Sequence, residues 1–275
     1  MARWTPERWR KLRVKTGFSI YYVIFLAFIY GPMFAMFSLS FQGRRGGTSF
    51  PMRGWSLYWW NKLLEPSTVG DMQGALGRSL ILALMVMVIT ALFSTMLAMA
   101  FRKAFRFSNV LFYTVLTGLM VPGVLLSLGM AILMRQLGLS PAWYSSGLAV
   151  HVIWALPFGY LVMMAVFNRF DARLEEAARD MGADEWTVFK EITLPLITPG
   201  VVAAGLFGFT LSYDEFARTT LLAGADNTLP LDINASMTQR IRPTLFALGT
   251  ASTIFSLLMI SVFLGIYTIL YRRSR

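Results

Sequence analysis

Asp214 and Glu215 close a run of fourteen mostly apolar residues, Gly200 to Tyr213, in the stretch PGVVAAGLFGFTLSYDEFARTT. If that run is a membrane helix it rises about 21 Å, which carries both carboxyls towards the outer half of a bilayer. Ionisable groups at that depth are costly unless they are paired or face a watery path. Two readings follow. In one, the carboxylates line a solute path and attract an ammonium group, with Ser212 and Tyr213 adding hydrogen bonds. In the other, they form an internal ion pair with Arg218, which stands four residues after Asp214 and three after Glu215.

Other chemistry is poorly served. An intramembrane hydrolase would need a partner for Asp214, and no second acidic span or histidine dyad supplies one. His151 is the only histidine and opens an apolar run, where an interfacial side chain is expected rather than a ligand. The chain has no cysteine, which excludes disulfides and thiolate metal sites. Neither a GxxxxGK[ST] loop nor a GxGxxG turn is present, so this chain does not harvest energy from a nucleotide.

A second constellation is LEEAARDMGADEWTVFKEITLP, residues Leu174 to Pro195. Leu174, Ala177, Ala178 and Met181 recur at helical spacing as one apolar stripe, and Glu175 with Arg179 reads as a pair on the wet face. Gly182 is placed to end this helix. Asp184 can cap a second short helix carrying Trp186, Phe189 and Lys190. Leu194-Pro195 is expected to turn the chain into the next apolar run. Ala177 and Ala178 leave room for another surface to approach the backbone, with Glu176 as a charged handle beside them. The plainer reading is an amphipathic loop lying on the membrane surface.

The elements around these residues are membrane elements. The 275 residues are 56% hydrophobic and only 14% charged, with a mean hydropathy of +0.58, against roughly 25% charge in an ordinary soluble domain. Six apolar runs, about 18–41, 79–100, 111–134, 146–167, 196–222 and 245–271, are each near or above the length needed to cross a bilayer. An all-α integral membrane protein with six spans is therefore expected: a basic N-terminal segment over 1–17, one transmembrane domain over 18–275, and the charged loop 168–195 between spans four and five. The formal net charge of +11 reflects topology more than affinity for nucleic acid. With both termini in the cytoplasm, sixteen of the 25 Lys and Arg residues fall on that side, as the positive-inside rule requires. Small residues Gly200, Ala203, Ala204, Gly205 and Gly208 are expected to pack against a neighbouring span or a partner. The aromatic GWSLYWWNKLL segment (54–64) suits a membrane–water boundary, and the polar stretch 223–244 reads as a long outer loop.

Glu176-Ala177-Ala178, then Gly182, Ile192 and Leu194-Pro195 at their observed spacing, resembles the EAA signature of ABC importer permeases, with every fixed position filled. The resemblance covers most of the chain. The hairpin together with FTLSYDEF and NTLPLDINASM looks most like the second permease of spermidine/putrescine-type importers. It implies a type I importer permease fold in a bacterial inner membrane, with the hairpin as a coupling helix. Glu175, Glu176, Ala177, Ala178, Met181, Gly182, Ile192, Leu194 and Pro195 would then mediate coupling to an ATPase. Ser212, Tyr213, Asp214, Glu215 and Arg218 would line the substrate pathway. It further implies a second permease subunit, two ATP-binding subunits that carry the ATP and magnesium, a periplasmic solute-binding protein, and no cofactor in this chain. Arg218 departs from the family, which shows an apolar residue there, and so leaves room for an amino acid-like, phosphonate or carboxylate solute. An ion-gradient-driven carrier is the competing class, but no second copy of the EAA or SYDEF segment marks the internal repeat such carriers often have.

Overall fold

The computed structural model describes residues 6–63, 65, 71–103, 105–239 and 242–273, and describes them as helical, with a single isolated bridge (Gln42 to Trp55) in place of any strand. In chain order the helices are α1 (Pro6–Leu39), α2 (Tyr58–Leu63), α3 (Met72–Ala100), α4 (Ser108–Met120), α5 (Gly123–Gln136), α6 (Leu148–Phe167), α7 (Arg173–Asp180), α8 (Glu185–Thr187), α9 (Leu194–Tyr213), α10 (Leu229–Gln239) and α11 (Pro243–Arg273). Two π-helical turns, Trp143–Gly147 and Val188–Thr193, lead into α6 and α9. Five helices are long and apolar enough to cross a membrane, and the pair α4 and α5 makes a sixth if counted as one span. Most of the basic segment 1–17 belongs to α1, which is continuous from Pro6.

The chain divides into two compact units, residues 1–69 with 236–257 and residues 70–235 with 258–275. In the first, α1 leads into an aromatic turn where Phe41 stacks on Trp55 and Trp60 at 5.9 and 5.6 Å. Buried Gln42 holds that turn: its Oε1 accepts from the Arg53 amide at 2.7 Å, and its Nε2 donates to the Gly47 carbonyl. Part of the aromatic 54–64 segment is thus folded into its own short helix, α2. Within this unit Gly249 lets α11 pass close to Met36, because a Cβ there would stand 2.8 Å from the Met36 sulfur.

In the second unit α3, α6 and α9 pack on one another. Apolar side chains in a bilayer gain nothing by hiding from lipid, so close backbone approach through small residues holds such helices together. A Cβ on Gly159 of α6 would lie 2.8 Å from Thr90 of α3, and one on Gly208 of α9 would lie 3.0 Å from the same threonine. Gly200 meets Met163 and Val166 of α6, and Gly205 meets Met87 of α3. The small-residue face of α9 is therefore spent on neighbouring spans of this chain. Leu82, Val86 and Ala155 fill one half of this core, and Ala98, Tyr160, Met163, Ile197 and Ala204 the half nearer the hairpin.

Four expectations need correction. The third span, 111–134, is not a straight helix: α4 and α5 meet at a 107° bend. Pro122 at the N-cap of α5, and Val121 before it in the extended conformation that a following proline favours, explain the break. The fifth span is helical only to Tyr213, and 214–224 continues as turns. The outer loop 223–244 contains α10; its entry is anchored by Arg78 Nε donating to the Asn227 carbonyl and the Leu229 amide donating to Ser79 Oγ. Leu194-Pro195 does not turn the chain. Helix runs unbroken from Glu185 to Tyr213, with the Leu194 amide donating five residues back to Phe189. Pro195 has no N–H for the Glu191 carbonyl, and it follows directly on a π turn within that continuous helix.

Candidate functional site: a charged hairpin and a polar layer

α7 is too short to persist alone and is held by its C-terminal glycine cap and by one inward charge. Gly182 adopts φ +90°; its amide donates to Arg179 O at 2.9 Å and the Ala183 amide to Ala178 O at 3.1 Å. This is the six-to-one and five-to-two pattern of a glycine-terminated helix, available at low cost only without a Cβ. Asp184 then caps α8, accepting from the Thr187 amide at 3.0 Å. Hydrogen bonding from Thr187, side chain first and backbone second, holds the Asp184 carboxyl below its usual range.

The pairing of Glu175 with Arg179 on the wet face is overturned. Glu175 is buried and takes both arms of the Arg102 fork, Nη1 to Oε1 at 2.8 Å and Nη2 to Oε2 at 2.6 Å. Thr193 Oγ1 donates to the same Oε1 at 2.6 Å. The Arg102 guanidinium lies over Phe167 and Phe170, 5.2 and 4.9 Å from their ring centres. Hydrogen bonding from Arg102, opposed by burial and aided by Thr193, lowers the Glu175 carboxyl below the ordinary glutamate value. Arg179 instead pairs with Glu185 at 2.8 Å on the surface. The apolar stripe is corrected as well. Only Ala178 packs inward, while Leu174, Ala177 and Met181 are exposed, Met181 at 84%. Glu176 and Trp186 are exposed too, so the hairpin presents small and apolar side chains outward. Ile192 is half-buried; Leu194 and Pro195 line an apolar groove of about 820 Å³ against α3.

At the far end of the same helices lies a polar layer. His151 is buried, not interfacial: Nδ1 and Nε2 stand 2.8 Å from Ser212 Oγ and from Thr219 Oγ1, so α6 is pinned to the end of α9 and to the turn after it. Tyr213 is buried and stacks on Phe209 at 5.9 Å. The two acidic residues part company. Glu215 pairs with Arg218, Oε2 to Nη1 at 2.9 Å, and accepts from the Arg218 amide through Oε1. The buried guanidinium lies 3.6 Å from the centre of the Trp154 ring, and Ser127 Oγ donates to the Arg218 carbonyl. Gly123, at the break between α4 and α5, admits this side chain; a Cβ would stand 3.0 Å from Arg218 Cγ. Asp214, the C-cap of α9, is exposed and makes no ion pair among the described residues.

Sequence reasoning missed Arg102, Thr193, His151, Trp154, Ser127 and Thr219. One signal was available: His151 and Trp154 are three residues apart in an otherwise apolar run, hence on one helix face.

A bent helix pair, a helical bundle of spans and a glycine-ended hairpin feeding the fifth span narrow the architecture, and a family model decides it. Residues 91–275 match the binding-protein-dependent transport system inner membrane component. The chain belongs to that family. It is a multi-pass permease of an ABC importer, a membrane transport subunit without a catalytic centre of its own. Among curated relatives it is 29% identical to the spermidine/putrescine transport system permease protein PotC of Haemophilus influenzae, over 85% of this chain and 90% of that one. It is also 29% identical to the putrescine transport system permease protein PotI of Escherichia coli strain K12, over 88% and 84%. Among solved structures, a bacterial ABC transporter that imports the acidic polysaccharide alginate superposes with a TM-score of 0.67 at 13% identity, covering 98% of this chain and 99% of that one, which speaks to fold alone.

Proposed function

We propose that this permease moves a small organic amine, of the putrescine or spermidine class, into the cytoplasm. A periplasmic binding protein delivers the solute, and a second permease subunit completes the path. Two separate ATP-binding subunits hold ATP and magnesium and dock on the hairpin. The chain sits in a bacterial inner membrane with the hairpin and both termini on the cytoplasmic side, in keeping with its basic residues. Mechanistically, ATP-driven closure of the partner subunits pulls on the outward face of α7, and the pull is useful only where it bears differently on inward- and outward-open states.

The observation that carries the amine reading is the unequal fate of the charges beside α9. Arg218 departs from the family pattern and at first favours an anionic solute. In the folded chain its guanidinium pairs with Glu215 and lies against the Trp154 ring. Asp214 keeps an uncompensated carboxylate at the end of the span, the group an ammonium seeks. The names of the PotC and PotI relatives point the same way. The test begins with co-purification in mild detergent and mass spectrometry, where a P-loop ATPase and a second EAA-bearing permease are expected. Uptake of labelled putrescine and spermidine by the reconstituted complex follows. A complex that ignores both amines and moves an amino acid or carboxylate would replace the solute class and leave the importer architecture standing.

A further inference from the structure

Four segments converge where Arg102 meets Glu175. Arg102 lies two residues past the end of α3, and Phe167 and Phe170 close and follow α6. Glu175 belongs to α7, and Thr193 ends the π turn that becomes α9. Along the chain, the hairpin is joined only to α6, through residues 168–172, and to α9, through the π turn. The Arg102–Glu175 contact spans 73 residues of sequence and adds α3 to that set. A bidentate fork with both partners charged is the most direction-specific side-chain link available. Here its carboxylate is buried and takes a third hydrogen bond from Thr193.

We infer that Arg102, Glu175 and Thr193 are positioning residues that make the hairpin, the end of α3 and the start of α9 move as one body, so that a pull on the hairpin reaches the second and fifth spans together. The adjacent glutamates divide the work: Glu176 faces outward to the docking partner, and Glu175 faces inward to the membrane helices. Without the knot, the 168–172 link and the π turn absorb the displacement, and ATP is hydrolysed with little movement of solute. This inference rests on the proposed docking of an ATPase at the hairpin.

The test uses the whole reconstituted complex with its liganded binding protein and reads solute moved per ATP hydrolysed. Arg102→Gln and Glu175→Gln are expected to lower that ratio about tenfold, within the usual range of coupling between sites, while the ATPase subunits still co-purify. Arg102→Lys, which keeps the charge and loses the fork, and Thr193→Val, which keeps the shape and loses the hydroxyl, are expected to lower it less. Arg106→Gln, four residues past the knot and with its guanidinium over the ring of neighbouring Phe107, is expected to leave it unchanged. Exchange of the partners, Arg102→Glu with Glu175→Arg, is expected to recover part of the ratio, which a lost packing contact would not permit. Assembled variants with a wild-type ratio, or with uptake and hydrolysis falling in proportion, overturn the inference. So does failure of all four single knot variants to assemble, which makes the knot a folding element only. Absence of any ATPase in the wild-type complex instead sinks the docking reading on which it stands.

Discussion

Two residues show how much one side chain's direction decides. Gly182 has open space where a Cβ would stand, so any penalty for replacing it is conformational: a residue with φ of +90° and a side chain is strained by about 1–2 kcal/mol, more if β-branched. Gly182→Val is therefore expected to free the α7 terminus and lower uptake, while Gly182→Asn, which tolerates the left-handed region, retains most of it; equal uptake by the two would refute this. Glu175 sets a pH dependence. Its folded-state carboxyl is depressed, so its contribution is fully present above the unfolded value of about 4.3 and is lost as pH falls through the lower folded value. Hydrogen exchange of residues 173–180 in the purified complex should thus stay protected from pH 7 down to 5. Glu175→Gln should expose the same amides already at pH 7. Asp214→Asn is expected to raise the KM for an amine severalfold without changing basal hydrolysis, and an unchanged KM would return Asp214 to a capping role.

Among elements, the spans were legible because apolar runs and small-residue spacing are local properties. Gly182 and Asp184 were legible for the same reason, since caps act within a turn or two. The outcomes that sequence missed are contacts made across the fold. Nothing local tells Glu175 to prefer Arg102, 73 residues away, over Arg179 one turn along its own helix. His151 finds Ser212 at a separation of 61 residues. Proline was the ambiguous sign: Pro195 lies within a helix, directly after a π turn, whereas Pro122 breaks one. Packing between α4 and α6 depends on Gly118, where a Cβ would lie 2.8 Å from the Ile153 carbonyl oxygen, a backbone atom that cannot swing aside. Gly118→Ala is expected to cost about 1–3 kcal/mol, read as a lower midpoint of thermal unfolding in detergent; an unchanged midpoint would show that α4 shifts freely.

At the scale of the molecule, the most apolar window of α1 has no buried residue, so this surface is left to lipid or to a neighbouring subunit. Anything that binds only the folded chain raises its apparent stability. The permease is expected to unfold at a higher temperature with its partners than alone, and identical midpoints would argue that the subunit is self-sufficient. The bend between α4 and α5 bears on how the protein is made. Their 13 and 14 residues span about 20 Å each, short of a hydrocarbon core of about 30 Å. Neither piece qualifies by itself as a membrane-insertion signal during synthesis. The ribosome must deliver both before this part of the chain can cross the bilayer, so its place is settled only once the whole of 108–136 has been made.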